Sequence, residues 1–221
     1  MVILILFFIE RNNMKAIIIT PCLSSKIKDV ANIEKEDFVI CADNSFSQAL
    51  AENIKIDLII GDFDTGIPAV FPPNVEILKF PREKDDTDSM LCIKEAEKRG
   101  FTEITIVGGL SGRLDHTFAN IQSLAYGVKH GLKIKISDTE NEVLLMRPGK
   151  LTIAKKEGFS LSIFSYGEKA EGICEKGVKY PLSDAELTNS FPLGVSNEIV
   201  ADKAQISFSK GLLLIILSKL N

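Results

Sequence analysis

The sequence predicts an α/β protein: a mostly parallel sheet with helices on both faces, followed by a smaller all-β part. Three observations predict it. Through the first two thirds of the chain, short apolar runs alternate with stretches of helical periodicity. Those runs lack polar alternation, as expected of strands covered on both faces. After Pro148-Gly149 the helical periodicity stops, and short strand-like pieces separated by Gly, Pro, Ser and Asn take over.

Taken in order, the runs at 16–20, 38–42, 58–60, 75–80, 104–107 and 132–136 are the predicted strands of the first part. Predicted helices occupy about 44–52 and about 87–99, the latter stopped by Gly100. The clearest helix covers about 115–130. Leu114, Phe118, Ile121, Ala125 and Val128 recur along one helical face, and Gly131 follows as a stop. Beyond Pro148 the predicted strands are 151–155, 161–165, 172–175, 199–200, 205–209 and 212–217, with one helical candidate near 182–187. A β unit of roughly seventy residues is small for independent stability and should lean on the first part or on a second subunit.

Composition bounds the function. The chain has 221 residues, 45% apolar and 25% charged, which excludes a disordered, collagen-like or disulfide-scaffold protein. Lys and Arg total 26 against 30 Asp and Glu, a net charge of −4, so no nucleic-acid partner is expected. Cys22, Cys41, Cys92 and Cys174 form no CxxC pair and read as free thiols in a reducing, cytoplasmic compartment. With only His116 and His130, nothing supports a two-histidine metal site or a Ser-His-Asp triad. Residues 1–9 are all apolar but too few for a bilayer span of ~20, and no signal-peptide flanks surround them, so no membrane partner is expected. Met14, directly before the first predicted strand, is read as the natural start.

Three segments carry the chemistry. Asp62-Phe63-Asp64 follows the run 57–61, and on an extended segment residues i and i+2 share a side, so two carboxylates would converge at a strand end. A solvated polar turn is the plain alternative. Glu83-Lys84-Asp85-Asp86-Thr87-Asp88 opens a predicted helix. Asp85 or Thr87 could cap it, but three Asp in four residues crowd like charge unless a cation neutralises it, and an oxygen-rich cluster suits Mg²⁺. The third segment, Gly108-Gly109-Leu110-Ser111-Gly112-Arg113-Leu114-Asp115-His116, runs from strand through glycine loop to helix. Its backbone N–H groups, the helix N-terminus and Arg113 suit a phosphate, although a tight strand–helix turn would look the same in isolation. Together the segments offer carboxylates, a cation and a glycine loop, the groups needed for metal-assisted transfer of a phosphate-bearing group.

These blocks, with Cys41-Ala42-Asp43 before them and Gly194-Val195-Ser196-Asn197-Glu198 after, occur in the order found in thiamine pyrophosphokinases, and the chain resembles that family over most of its length from Met14 onward. The resemblance implies a Rossmann-like, mostly parallel α/β domain over 14–148 that binds ATP and metal. It implies a C-terminal all-β sandwich over 149–221 that binds thiamine and forms a homodimer with active sites at the subunit interface. The implied reaction converts ATP and thiamine to AMP and thiamine diphosphate with Mg²⁺. On the matching positions, Asp62, Asp64 and Asp88 would hold the metal. Asp43, Gly108, Gly109, Gly112, Arg113 and Asp115 would line the ATP site. Asp85 or Asp115 would accept the hydroxyl proton, and Lys84, Ser196 and Asn197 would meet thiamine. Two segments depart from the pattern: Thr20-Pro21-Cys22-Leu23-Ser24 replaces a glycine-containing loop, and Asn44-Ser45-Phe46 replaces small residues after Asp43. The chain has no Trp, so any ring stacked on thiamine must be Phe or Tyr. Two other classes compete: another Mg²⁺-dependent phosphotransferase or phosphohydrolase, and a non-catalytic nucleotide or thiamine sensor. The sensor should have lost the acidic trio, and this chain retains it.

Overall fold

The computed structural model describes residues 15–21, 23, 25–63, 71–81, 83 and 85–220. The expected start at Met14, and Cys22, lie outside them. The chain runs β1 (Ala16–Ile19), α1 (Ile27–Val30), β2 (Phe38–Ala42), α2 (Phe46–Ala51), β3 (Leu58–Gly61), β4 (Glu76–Lys79), α3 (Asp88–Lys98), β5 (Glu103–Val107), α4 (Leu114–His130) and β6 (Lys133–Ser137). It then becomes entirely strand: β7 (Asn141–Met146), β8 (Gly149–Ala154), β9 (Phe159–Ser165), β10 (Lys169–Lys176), β11 (Ala185–Thr188), β12 (Lys203–Phe208) and β13 (Leu213–Lys219).

One nine-stranded sheet has the order β4-β3-β2-β1-β5-β6-β7-β13-β9. Its first six strands are mutually parallel, and β7, β13 and β9 continue it antiparallel. Central β1 shows why the apolar runs are unbroken. Ala16 and Ile18 face α3 and α4, while Ile17 and Ile19 face α1 and α2, and all four are fully buried. Edge strand β4 carries Glu76 and Lys79 exposed, which discourages further strand pairing there. Cys41 sits in this core with its thiol pushed up to about 12 by burial, an inert apolar filler. None of Cys41, Cys92 and Cys174 is in a disulfide.

A second, four-stranded sheet has the order β11-β10-β12-β8. It packs against the far end of the first through Ile173, Ala204, Ile206 and Phe208, which meet Leu161, Ile163, Leu213 and Ile215. The helical candidate at 182–187 is overturned. Strand β11 begins at Ala185, and Leu187 pairs with Ala170 while buried in the inter-sheet core. At 199–200 there is only an isolated bridge, Val178 to Ile199.

The face of α4 also differs from the periodicity. Leu114 and Phe118, at the start of the predicted apolar stripe, are 81% and 60% exposed, whereas Asn120, Ser123, Leu124 and Gly127 are buried. The helix comes close to β6 through these smaller residues. A Cβ at Gly127 would lie 2.6 Å from Ile134 Cδ1, so the tightest contact turns the larger apolar residues at the helix start outward. Gly131 ends the helix in the left-handed conformation, with Leu132 N–H donating to Gly127 O at 2.9 Å.

Candidate active site

Because β1 to β6 are parallel, their C-terminal ends share one edge. The chain leaves β1 toward β2, β3 and β4, then returns through α3 to β5 on the other side of β1. The crevice between β1 and β5 is therefore the switch point where open α/β sheets bind ligands. Thr20 ties its two walls together: both its backbone N–H and its Oγ1 donate to Val107 O, at 3.1 Å each.

On the β2–β3 side, Asp43 follows β2 at φ +46 in a short 3-10 turn pinned to β1 by Ser45 Oγ donating to Ile19 O at 2.8 Å. Gly61 lets this turn press in. A Cβ there would lie 2.9 Å from Asp43 Cα and 3.1 Å from its Oδ1. Asp43 and half-buried Asp62 thus sit on adjoining strand ends. Phe63 is buried at φ +56, and its ring meets Phe71 edge-on at 5.2 Å. The segment therefore turns at Phe63, drawn inward by the ring, and is not extended there as the i, i+2 argument supposed. Asp64 lies outside the described residues, as does Lys84.

Thr87 is the cap of α3, its Oγ1 accepting from Met90 N–H at 3.2 Å. Asp86 is neutralised by Lys94 at 2.7 Å, which relieves part of the charge crowding. Exposed Asp85 and half-buried Asp88 flank the cap. Among the described residues, no three His, Cys, Asp or Glu side chains are gathered to hold a metal. Of the expected trio, Asp62 and Asp88 are described. Both offer hard carboxylate oxygens, a donor set that fits Mg²⁺.

On the β5 side, Gly108, Gly109 and Gly112 have φ of +87, +80 and +84, a conformation side chains rarely adopt. Gly108 N–H donates to Ser137 O at 2.8 Å, and Asn120 Nδ2, from inside α4, donates to Gly109 O at 2.9 Å. At the N-terminus of α4, Arg113 grips Asp115 through Nε (3.1 Å) and a terminal nitrogen (2.5 Å), and both are exposed. The Arg113 hydrogen bond holds the Asp115 carboxyl below its ordinary value.

The remaining predicted residues lie in the C-terminal half. Ser196 is exposed at φ +57, and its N–H donates to Ser162 Oγ at 3.0 Å. Asn197 is buried and its amide is committed to backbone. It donates to Tyr180 O at 2.9 Å and accepts from Tyr180 and Glu198 N–H at 3.0 Å. It shapes the loop that presents Ser196.

Thr20, Gly61, Asn120 and Ser162 hold this site together, and the sequence reading gave none of them a role in it. Asn120 alone left a signal: an Asn inside a helix competes with the backbone and needs another reason to be there.

A parallel sheet whose switch-point edge carries carboxylates, an arginine and a left-handed glycine loop is built like an enzyme that handles phosphate-bearing groups. The comparisons are narrower. Residues 31–136 match the thiamin pyrophosphokinase catalytic domain, and 150–213 match the thiamin pyrophosphokinase vitamin B1 binding domain. A thiamine pyrophosphokinase of Bacillus subtilis is 35% identical over 140 residues; the aligned part spans 63% of this chain and 65% of that relative's length. The crystal structure of a Bacillus subtilis thiamine pyrophosphokinase superposes with a TM-score of 0.84 at 27% identity, covering 94% of this chain and 99% of that one. The Geobacillus thermodenitrificans structure gives 0.81 at 25% identity, covering 93% and 98%. The chain belongs to the thiamin pyrophosphokinase family.

Proposed function

We propose that the protein transfers a diphosphoryl group from ATP to the hydroxyl of thiamine, giving thiamine diphosphate and AMP. The observation that carries this reading is the pair of family matches, catalytic then vitamin B1 binding, on a chain whose catalytic half carries the phosphate-handling edge. Residues 14–148 act as a Rossmann-like ATP- and metal-binding domain. Residues 149–221 act as a β-sandwich that binds thiamine and pairs two subunits.

In this mechanism the glycine loop offers backbone N–H groups to the ATP phosphates, and Asp43, Gly108, Gly109, Gly112, Arg113 and Asp115 line that site. Asp62, Asp64 and Asp88 would hold Mg²⁺, which when bound offsets negative charge on the phosphate oxygens. Arg113 exchanges part of its grip on Asp115 for phosphate oxygens. Losing that cationic partner raises the basicity of the Asp115 carboxylate, so nucleotide binding readies it to accept the hydroxyl proton; Asp85 is the other candidate. Lys84 and Ser196 contact thiamine, while Asn197 keeps Ser196 in place.

A homodimer is supported by two exposed apolar sets, each beside half of the predicted site: Leu114 and Phe118 next to Arg113, and Phe191, Leu193 and Val195 next to Ser196. The cysteines without disulfides support work in the cytoplasm; among the described residues no helix is long and apolar enough to cross a membrane. The test is to incubate the protein with ATP, Mg²⁺ and thiamine and to quantify AMP and thiamine diphosphate. Equal amounts of both are expected; ADP and thiamine monophosphate, or no product, would overturn the reading.

A further inference from the structure

Strand β10 faces the inter-sheet core with alternate residues, and the pattern breaks at one of them. Ile173 is inward and fully buried, and two residues on, Glu175 occupies the same face at 4% exposure. A carboxyl in an apolar layer is costly unless its oxygens are satisfied. Glu175 Oε1 is buried and has no hydrogen-bond partner among the described residues. Burial pushes the group up to about 7, with only a backbone hydrogen bond at Leu182 pulling the other way. Among the described residues, no charged side chain compensates it.

Glu175 is one of the residues lining a cavity of about 390 Å³ whose other walls include Tyr180, Leu182, Leu193, Val195 and Asn197. Those walls belong to the loop that Asn197 braces against the Tyr180 backbone and to the segment that presents Ser196. The cavity is thus apolar and ring-sided, with an unsatisfied carboxyl oxygen buried behind its wall. Its complement is a flat heteroaromatic group that brings an N–H donor or a protonated nitrogen.

We infer that Glu175 is a specificity-determining residue of the thiamine site, its carboxyl selecting for a substrate ring that carries an amino group. This rests on the proposed reaction, since thiamine's pyrimidine carries such an amino group. It adds a residue that the family-derived set (Lys84, Ser196, Asn197) does not contain. An apolar side chain would pack the β10 face better, so the carboxyl is kept at a cost to stability, as functional groups often are.

The test compares kcat/KM for thiamine with that for its 4-oxo analogue, in which oxygen replaces the pyrimidine amino group. It uses the intact protein, Glu175→Leu and Glu175→Gln. Assayed at about pH 8.5, where the carboxyl is ionised, the intact protein should prefer thiamine by at least about tenfold, the range of one hydrogen bond to a charged group. Leu removes the acceptor and Gln adds a donor, so both should cut that preference severalfold and raise KM for thiamine, leaving KM for ATP unchanged. A structural role alone would move the melting temperature without changing the ratio between substrates. A preference retained in both variants, or absent from the intact protein, overturns the inference. Should Leu fail to fold, Gln decides it. Should the intact protein turn over neither compound, the proposed reaction fails instead. Calorimetric binding of the two compounds to the intact protein and to Glu175→Gln then decides the role of Glu175 by the same criterion.

Discussion

Gly109→Ala is the most informative single change in the phosphate loop. Position 109 has φ +80, and placing a side chain in that left-handed region costs about 1–2 kcal/mol. The added Cβ would also lie 2.6 Å from Asn120 Nδ2, so the amide must move and give up its bond to Gly109 O. Asn120 is buried, and an unsatisfied buried amide costs a further 1–3 kcal/mol or so. The sum is about 2–5 kcal/mol, or a fall in melting temperature of roughly 5–15 °C for a chain of this length. Gly112→Ala is the control. Its φ is +84, but nothing lies within 4 Å of its Cβ, so only the backbone cost of about 1–2 kcal/mol applies. Thermal and urea unfolding of both variants measures the difference, and Asn120→Ala in the Gly109→Ala background should destabilise far less than in the natural sequence. Equal melting temperatures for the two alanine variants, or additive effects of Gly109→Ala and Asn120→Ala, would refute the claim that Asn120 braces this loop.

Three further outcomes are expected. Glu175 keeps its proton up to about 7 when folded and loses it near its ordinary 4.5 when unfolded, so its contribution to stability is fully present below 4.5 and lost as pH rises to about 7. The loss is on the order of 3 kcal/mol; apart from Glu175, the titratable group lining its cavity is Tyr180. Urea midpoints at pH 4.5 and 7.5 should show this slope flattened in Glu175→Gln, and an unchanged slope would count against burial as its cause. Asp62→Asn should fold normally yet lose at least about a hundredfold in turnover, with a steeper magnesium requirement, if its carboxylate helps stabilise the transition state; unchanged activity across a magnesium titration would remove Asp62 from the metal site. Arg113→Ala should raise KM for ATP more than it lowers kcat, because its grip on phosphate forms in the ground state, and the reverse split would make it a transition-state residue.

The parallel half of the fold was legible because buried strands announce themselves: Ala16–Ile19 and Leu58–Gly61 have no solvent face and therefore no polar residues to blur the run. What hid was set by tertiary contact. Strand Asn141–Met146 looks half polar because Glu142 is half-buried and answered by Lys156 at 2.8 Å and Lys135 at 3.7 Å, partners invisible in one dimension. Ala185–Thr188 becomes a strand through pairing with β10, which overrides local preference. In the site, residues whose type bears chemistry could be picked out, Asp62, Asp88, Arg113 and Asp115 among them. Residues that work by position could not. Thr20 and Gly61 matter through one hydrogen-bonding partner and one close approach. Asn197 was placed at the substrate because it sits beside Ser196 in a block shared with the family, whereas its own amide is spent on backbone. Glu175 reads as an ordinary surface charge until its strand is seen to turn it inward.

The place of β13 bears on how the molecule is made. It follows β12 and is the last of the described strands, yet it lies inside the large sheet, hydrogen-bonded to β7 on one side and β9 on the other. One of its side-chain contacts, Ser218 Oγ to Asn141 Oδ1 at 2.9 Å, joins positions 77 apart. During synthesis, the six parallel strands can assemble while this segment is still inside the ribosome. β7 and β9 meanwhile wait with open edges facing an empty slot, the state in which strands pair with the wrong neighbour. Emergence of β13 therefore fills that slot and joins the two halves in one step. A nascent chain stalled before residue 213 would hold a formed nucleotide edge beside an unsealed β half, a natural substrate for chaperones.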